Sequence, residues 1–549
     1  MPRARRRQRP VRQVHTAADA TINDDDVSDE EYSDEEDWYD EEDEDDEEED
    51  HEYVRPYCLV TVEPMLFLYS AAIFMFSPIS SLYLYNLVGN DTSPYWKQEY
   101  CNSSETTFNT SDPDYIDEQY WTDEVARWDT IINLTQAVPG LFTCVFFGTM
   151  SDQLGRRINV VLSCIAGMIT TGLYLLVVYL ELPVWALIPG SIIGGLTPGS
   201  AVFFAACYAY VVDISQSKRE IAIRIAVLDA VIGLASVVAT AIAGVVLTKF
   251  WYPNGILGPV VFLFTAHVVC ILYTIFCLRE TQPTDWKNVQ LCARRHFTAA
   301  VQLLRKKNVS LYGKVTNGWN WRLILFLLAG GFYFSQAESV VSFPVILTSA
   351  PPFCWSPLRT GILQSALSGC SLTSLLGILV LVRWLSYPTI TQIGMASGVS
   401  ALVLTALSTL CPDYNLALYI TPVLGLFLTM PESMISTELS LMTRQSDQGS
   451  LFGLIGFIQG VMTIVTTPLL NYIWGVTAMG IIPGFVQLMS ALLVGAASAM
   501  VGIIQYWDRR SPPEYPLDSD EEDSDTESDT GRINTDTDDL VARRNPTII

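Results

Sequence analysis

The stretch Gly148-Thr-Met-Ser-Asp-Gln-Leu-Gly-Arg-Arg157 lies between two apolar segments, near residues 131–150 and 158–180. Each segment is close to the length of about 20 apolar residues that a helix needs to cross the lipid core. Gly155 permits a sharp turn between two helices. Asp152 lies where it can accept hydrogen bonds from arginine or from the N-terminus of a neighbouring helix. The stretch therefore predicts a tight turn at one membrane surface, with a polar latch that holds that side of the protein shut and is released on rearrangement.

Small residues let membrane helices approach each other closely, and Gly148 is expected to serve this purpose. The corresponding loop in the second half of the chain, around Arg383, does not repeat the pattern. A latch is therefore predicted on one half only. The candidate gate residues are Gly148, Asp152, Gly155, Arg156 and Arg157.

On either side of this stretch the chain contains apolar segments long enough to span a membrane. There are twelve of them, in two groups of six. They lie near 58–88, 131–150, 158–180, 184–212, 221–248, 257–278, 322–347, 359–384, 387–411, 414–442, 449–471 and 481–506. Since only helices and closed barrels satisfy backbone polar groups in lipid, the sequence predicts an all-α multi-pass membrane protein with twelve transmembrane helices in two six-helix halves.

Charge is concentrated at the two ends of the chain. Residues 1–52 hold 23 acidic residues and 6 arginines, and residues 508–549 hold 13 acidic residues and 5 arginines. The mean hydropathy of the whole chain is nevertheless positive, at +0.28, which excludes an ordinary soluble enzyme. Such acidic tails cannot bury enough apolar surface to offset their chain entropy and are predicted to be disordered.

The predicted organisation has five parts. They are an acidic cytoplasmic tail (1–55), an N-terminal six-helix half (56–278), a cytoplasmic central loop (279–321), a C-terminal six-helix half (322–507) and a second acidic cytoplasmic tail (508–549). In both tails, serines followed by acidic residues suit acid-directed kinases. These phosphorylation candidates are Ser28, Ser33, Ser519, Ser524 and Ser528. The alternatives are a solvated tail without a specific role and a tail that binds trafficking partners or kinases.

Lysine and arginine residues beside the helix ends fall mainly on one side, including Arg156, Arg157 and the cluster in 279–321. By the positive-inside rule both termini are cytoplasmic. The first outward loop agrees, because it contains three N-glycosylation triplets that begin at Asn90, Asn102 and Asn109. Cys101, Cys354 and Cys411 also face outward, where disulfides can form.

Gly148–Arg157 resembles the cytoplasmic signature of the major facilitator superfamily, whose members are mostly twelve-helix transporters. Further stretches resemble the proton-coupled folate transporter family: Val62-Glu-Pro64, Val138-Pro-Gly-Leu141, Cys207-Tyr-Ala-Tyr-Val-Val-Asp213, Arg224-Ile-Ala-Val-Leu-Asp229, Pro352-Phe-Cys-Trp355 and Arg444-Gln-Ser-Asp-Gln-Gly449. They run in the same order from residue 62 to about 455, across the membrane domain but not the tails. The resemblance implies the major facilitator fold and a disulfide between Cys101 and Cys354.

The departures from the folate carriers bear on the substrate. Asp229 matches an acidic residue that takes part in their proton coupling. Three other polar positions of those carriers fall instead near Gly199, Ala337 and Ser436. The resemblance therefore implies a sister member of the family, and not the folate carrier itself.

Ionisable side chains inside the membrane are costly, so each is a functional candidate. Besides Asp229, the proton-coupling or pore candidates are Glu338, Glu432, His267 and Arg224. For each, the alternative is a structural role, such as an ion pair between Arg224 and Asp229. Three aromatic residues are candidates for a solute pocket, Phe203, Tyr208 and Tyr210, with packing against lipid or helices as their alternative.

The sequence contains no recognisable nucleotide-binding loop, metal-ligand cluster or nucleophile–base pair, so it predicts neither an enzyme nor a cofactor. It predicts a secondary active transporter that moves an organic, anionic solute with protons by alternating access, with a folate- or pterin-like molecule as one candidate. The alternatives are a facilitative carrier of a different organic solute and a non-transporting receptor or scaffold. Expected partners are the solute, protons and membrane lipid, but not nucleic acid. The protein is expected to be a monomer in the plasma or lysosomal membrane.

Overall fold

Every one of the twelve predicted segments contains helix. The computed structural model describes residues 61–88, 113–249, 254–282, 293–309, 315–335, 348, 355, 357–408, 414–477 and 484–510. Within these ranges nine helices are long and apolar enough to cross a membrane, and Glu63–Phe76 and Trp321–Phe334 form shorter apolar helices. The chain divides into two units, Met1–Glu52 and Tyr53–Ile549, of which the first lies outside the described residues.

In the described part of the first half there are seven helices. They are α1 (Glu63–Val88), α2 (Pro113–Leu154), α3 (Arg156–Tyr179), α4 (Leu187–Leu196), α5 (Ser200–Asp213), α6 (Lys218–Lys249) and α7 (Asn254–Cys277), with a 3-10 turn at Val184–Ala186 before α4. α2 begins well before the predicted segment at 131, and its membrane-spanning part is Arg127–Leu154.

The central connection contains helix α8 (Ala293–Leu303) and an antiparallel hairpin of β1 (Arg305–Val309) and β2 (Val315–Trp319), in which Arg305 lies opposite Trp319. The second half follows with α9 (Trp321–Phe334), α10 (Pro357–Leu381), α11 (Tyr387–Ser408), α12 (Tyr414–Leu424), α13 (Met430–Leu441), α14 (Gln448–Thr477) and α15 (Phe485–Asp508). A 3-10 turn at Gln445–Asp447 precedes α14.

Two of the predicted segments are interrupted helices. The segment at 184–212 breaks into α4 and α5 at Thr197-Pro-Gly199, where proline restricts the preceding residue and removes a backbone donor. The segment at 414–442 breaks into α12 and α13, with Pro431 in the first turn of the second piece. Such breaks are tolerated in membrane proteins where they are buried or line a cavity.

The two halves meet where α2 and α5 pack against α14 and where α6 packs against α10 and α13. Two hydrophobic clusters of described residues cross this boundary. In the larger one Ala205, Ala209 and Ile225 of the first half pack with Phe452 and Ile455 of the second, and in the other Ala222 and Ala226 pack with residues of α10, α11 and α13. A separate cluster, which includes Tyr69, Cys164 and Phe203, fills the interior of the first half. The boundary between the halves is called the seam below.

Candidate functional site

Asp152, near the end of α2, binds the N-terminus of α14 across the seam. Its carboxylate accepts hydrogen bonds from the backbone N–H groups of Gly449 (2.8 Å) and Ser450 (2.7 Å) and from the Ser450 hydroxyl (2.5 Å). A helix N-terminus presents unpaired N–H groups and positive charge to an anion. These contacts of Asp152 with Gly449 and Ser450 form the latch, and the end of the bundle that holds it is the motif end. In this structure the two halves are joined at the motif end.

Arg156 connects the latch to the rest of the first half. Its side chain is fully buried and forms ion pairs with Asp152 (2.5 Å) and with Asp213 at the end of α5 (2.9 Å). Asp213 also accepts a hydrogen bond from the Thr281 hydroxyl (2.9 Å). Removing one member of such a buried network leaves an uncompensated charge, which is strongly destabilising. Arg156 therefore fixes the carboxylate that forms the latch.

The turn between α2 and α3 favours glycine at position 155. Gly155 has φ +98°, a left-handed conformation that side chains disfavour. The space beside it is occupied by the carboxylate of Glu280, which accepts hydrogen bonds from the backbone N–H groups of Arg156 (2.7 Å) and Arg157 (3.2 Å). Glu280 thus caps the N-terminus of α3. Burial raises the pKa of Glu280, while these backbone donors act in the opposite direction.

Arg157 makes the reciprocal contact with α7. Its guanidinium donates hydrogen bonds to the backbone carbonyls of Thr274 (3.1 Å) and Ile275 at the end of that helix. Cations at a helix C-terminus satisfy carbonyls that have no partner within the helix. Arg157 and Glu280 therefore hold α3 and α7 together, so that the turn is a rigid base for Asp152.

Close backbone contact between α2 and α14 brings the latch together. A Cβ atom at Gly148 would lie 2.7 Å from Gly453 Cα and 2.8 Å from the Gly449 carbonyl oxygen. One helical turn further along, the thiol of Cys144 occupies the space beside Gly456. Only glycine permits this approach, as the sequence suggested for Gly148.

The second half has its own polar contacts at the motif end. Arg322 at the start of α9 binds Glu438 (3.4 Å) and Asp508 (3.1 Å). Gln448 is buried, with 1% of its surface exposed. Its side-chain amide nitrogen donates hydrogen bonds to the backbone carbonyls of Ser440 (3.0 Å) and Thr443 (3.1 Å). Gln448 thereby ties the end of α13 to the start of α14, the helix that the latch engages.

A second polar contact crosses the seam near the middle of the bundle, at Asp229 of α6. One carboxylate oxygen accepts a hydrogen bond from the hydroxyl of Tyr208 in α5, and the other accepts one from the hydroxyl of Ser433 in α13. Tyr208 belongs to the same half as Asp229, whereas Ser433 belongs to the opposite half. Asp229 is 8% exposed, so this carboxylate is a nearly buried link between the halves.

Glu432 precedes Ser433 in the first turn of α13 and is partly exposed. Its neighbour Ser433 donates the hydrogen bond to Asp229. The ring of Tyr208 also stacks on Phe452 of α14, with centroids 5.5 Å apart and planes 18° apart. The group formed by Tyr208, Asp229, Glu432, Ser433 and Phe452 is the central site, and Asp229 with Glu432 is its carboxyl pair.

Other predicted site residues lie elsewhere. Arg224 pairs with Glu220 at 2.8 Å near the start of α6, and the structure gives it no ion pair with Asp229. Phe203 stacks on Tyr69 inside the first half, with centroids 3.8 Å apart, and Tyr210 is buried in the same cluster. Of the three aromatic pocket candidates, the structure brings Tyr208 to the carboxyl pair.

His267 is also inside the first half. Its Nδ1 lies 2.7 Å from the Leu263 carbonyl oxygen, and its ring packs edge-on against Tyr69 with centroids 5.3 Å apart. A Cβ at Gly167 would overlap its Nε2, so α3 approaches closely there. These contacts give His267 the surroundings of a packed core residue.

The remaining predictions concern residues outside the described ranges. They are Glu338, Cys101, Cys354, Asn90, Asn102, Asn109, Ser28, Ser33, Ser519, Ser524 and Ser528. Ser433, Phe452 and Glu280 were not among the predicted site residues, and Gln448 was noted only within the stretch Arg444–Gly449. A serine directly after an intramembrane glutamate was the available signal for Ser433. Phe452 carried no signal that distinguishes it from ordinary helix residues.

The family model of the Major Facilitator Superfamily matches residues 64–467. The chain belongs to the major facilitator superfamily. The predicted family, the helical multi-pass fold and the assignment as a membrane transporter are thereby confirmed.

Two curated relatives cover most of this superfamily member. It is 26% identical over 474 residues to the "Lysosomal proton-coupled steroid conjugate and bile acid symporter SLC46A3" of Homo sapiens. This alignment covers 86% of this chain and 99% of the relative. It is 26% identical over 462 residues to the "Proton-coupled folate transporter" of Bos taurus. This second alignment covers 82% of this chain and 92% of the relative. Similar identity to both fits a sister member of this family.

Solved structures agree on the fold. The human organic anion transporter MFSD10 (TETRAN) superposes with a TM-score of 0.58 at 15% identity, over 80% of this chain and 97% of that one. The proton:xylose symporter XylE superposes with a TM-score of 0.55 at 12% identity, over 82% of this chain and 94% of that one. At these identities the likeness concerns the fold alone.

Proposed function

We propose that this protein carries an organic anion across the membrane together with protons, by alternating access of the two halves. The observation that supports this most directly is the position of Asp229. Its carboxylate lies at the seam, where it accepts hydroxyl hydrogen bonds from both halves. A proton that binds there changes a contact between the two moving bodies, which is what coupling requires.

The class of solute is suggested by the relatives and by the lining of the central site. The two relatives are named as a steroid conjugate and bile acid symporter and as a folate transporter. All of these solutes combine a large ring system with an anionic group. The stacked Tyr208 and Phe452 offer an aromatic surface for such a ring system.

The latch supplies the alternation in this proposal. Asp152 binds the N-terminus of α14 in the present state, which closes the motif end. For the opposite state α14 must leave Asp152, while Arg156 and Glu280 keep the turn intact within the first half. The latch is thus an interaction made in one state and absent in the other, which sets the balance between them.

The orientation of the protein belongs to the proposal as well. We place the motif end, both termini and the acidic tails in the cytoplasm, and the loop that contains Asn90, Asn102 and Asn109 outside. Removal of N-glycans should increase the mobility of the wild-type band on a gel and leave a triple Asn→Gln variant unchanged. A cysteine pair at Cys101 and Cys354 would bridge the halves on the outer side. Trafficking partners or kinases would act on the tails, in either the plasma or the lysosomal membrane.

Uptake into cells tests the proposed function. Cells that express the full chain at their surface would be given labelled folate, taurocholate or oestrone sulfate at about pH 5.5 and about pH 7.4, a range in which exposed carboxyls remain largely ionised. We expect acid-stimulated accumulation of at least one compound, and loss of the acid stimulation in Asp229→Asn. Glu220→Gln is the matched control on the same helix and should retain it.

Two results would contradict the proposal. Acid-stimulated uptake that survives in Asp229→Asn would remove Asp229 from proton coupling. Accumulation of none of these anions at either pH, with surface expression demonstrated, would favour a receptor or scaffold that keeps the transporter fold.

A further inference from the structure

A groove lies on the first half at the motif end, between the start of α3 and the end of α7. Its volume is about 400 Å³. Four of its lining residues are aliphatic and two are charged: Ile158, Val161, Leu162, Ile275, Arg157 and Glu280. This feature is called the α3–α7 groove below.

The α3–α7 groove faces the lipid and not the seam. Both helices are long and apolar enough to cross the membrane. They pack on each other and on helices of the first half, and in the described ranges neither has an extensive contact with a helix of the second. Further large apolar side chains on these helices are open to the surroundings, since Ile169, Leu272 and Phe276 are 46%, 50% and 80% exposed. Such a surface on a membrane-spanning helix is covered by acyl chains.

Arg157 brings a positive charge to this apolar groove. Its Nε and Nη2 groups donate to the carbonyls of Thr274 and Ile275. Among the described residues no group accepts a hydrogen bond from its Nη1 group, and the guanidinium forms no ion pair there. The neighbouring Arg156, by contrast, pairs with two carboxylates. Since a guanidinium has five N–H donors and a permanent charge, Arg157 retains donors and charge for an anion.

Glu280 is the acidic residue of the groove, and its carboxylate is directed at backbone groups. One oxygen accepts hydrogen bonds from the N–H groups of Arg156 (2.7 Å) and Thr281 (3.1 Å), and the other accepts one from that of Arg157 (3.2 Å). The positive end of the α3 dipole lies at the same place. The charge of Glu280 is therefore balanced by the α3 N-terminus, and the Arg157 guanidinium is left for a ligand.

We propose that the α3–α7 groove binds an anionic phospholipid, with the phosphate on Arg157 and an acyl chain along Ile158, Val161 and Ile275. Arginine binds phosphate oxygens through parallel N–H donors. The class of headgroup rests on the orientation proposed above, which places the motif end in the cytoplasmic leaflet, where the anionic phospholipids are found. The groove itself does not depend on the transported solute.

Native mass spectrometry of the purified full chain tests the proposal. The protein in detergent would be titrated with phosphatidylserine or with phosphatidylcholine, and the affinity of the first bound lipid would be measured. We expect phosphatidylserine to bind more tightly. Its affinity should fall at least tenfold in Arg157→Gln, because charge-assisted hydrogen bonds to the phosphate are lost. Arg383→Gln is the matched control, since Arg383 is an exposed arginine in the corresponding loop of the second half, and it should bind like wild type.

A second variant reaches the groove without touching the guanidinium. Val161→Trp fills the apolar wall, leaves the contacts of Arg157 with α7 in place, and should also weaken binding at least tenfold. Arg157→Lys keeps the positive charge and should bind more tightly than Arg157→Gln. Inorganic phosphate in large excess should not displace the lipid, because it cannot occupy the apolar wall.

Three results would overturn the proposal. They are wild-type affinity in Arg157→Gln, wild-type affinity in Val161→Trp, and displacement of the lipid by inorganic phosphate, which would indicate a site for a free anion. Equal affinity for the two lipids would contradict the anionic headgroup. No solute is present in this assay and the glycan test reports on orientation separately, so failure here and failure of the proposed function are distinguishable.

Discussion

A methyl group added at Gly148 is expected to open the seam at the motif end. The new Cβ would lie 2.7 Å from Gly453 Cα and 2.8 Å from the Gly449 carbonyl oxygen. Both are backbone atoms, so no side chain can move aside. Ordinary carbon contacts are about 3.5–4.0 Å long, and α2 and α14 must therefore separate by roughly 1 Å.

The separation acts on the latch one turn away. The hydrogen bonds from Gly449 N (2.8 Å) and Ser450 N (2.7 Å) to Asp152 run directly between the two helices. A hydrogen bond to a charged group contributes about 1.5–3 kcal/mol. Since each 1.4 kcal/mol corresponds to about tenfold in an equilibrium constant, loss of one such bond raises the population of the open state roughly 10- to 100-fold.

Cys144 is a built-in reporter of that opening. Its thiol lies in the same seam against Gly456, and the residue is 2% exposed. N-ethylmaleimide labelling of Cys144, followed by mass spectrometry of the purified protein, should be at least tenfold faster in Gly148→Ala than in wild type.

Gly140→Ala is the matched control for this experiment. Gly140 lies on the same helix, and a Cβ there would meet no atom within 4 Å. Its labelling rate should equal that of wild type. Equal rates in Gly148→Ala and Gly140→Ala would refute the view that close glycine contact closes the motif end.

Two other predictions concern the supports of the latch. Gly155→Ala should lower the stability of the purified protein by about 1–3 kcal/mol, because φ is +98° and the Glu280 carboxylate fills the space of the new Cβ. Gly258→Ala in α7, where the space beside the glycine is open, is the control and should leave the melting temperature in thermal unfolding unchanged. Equal melting temperatures for the two variants would contradict a strained turn at Gly155. Gln448→Leu should cost about 1–3 kcal/mol, because buried carbonyls at the end of α13 lose their donor. The partly exposed Gln445→Leu is its control, and a melting temperature for Gln448→Leu that matches it would show that this contact does not stabilise the protein.

The membrane fold followed from the sequence to a large extent. A helix that crosses lipid satisfies its backbone internally and needs only a contiguous apolar stretch, so hydropathy locates it without knowledge of its neighbours. The interruptions were less visible. The break at 197–199 is marked by Pro198 and Gly199, but the predicted segment continued through it. Helix α8 and the hairpin of the central connection also went unpredicted, since that stretch was treated as a cytoplasmic loop.

The turn at 148–157 could be understood from local chemistry because most of its requirements are local. Gly155 adopts the left-handed conformation that a sharp turn needs, and Asp152 and Arg156 are one helical turn apart in sequence. Their distant partners could not be inferred in the same way. Glu280, which caps α3, lies 124 residues from Arg156 in the chain.

The sequence by itself therefore determined the spans, the halves and the intramembrane carboxyls, of which Asp229 stood out because an ionised group in lipid is costly. Only the tertiary structure decided which groups meet those carboxyls. Asp229 contacts Ser433, 204 residues away, and Asp152 contacts Ser450, 298 residues away. Tertiary packing also separated Asp229 from Arg224, and Phe203 and Tyr210 from the carboxyl pair. The physical reason is that hydropathy depends on each residue and its near neighbours, whereas the pairing of two helices depends on side chains that come together only when the halves pack.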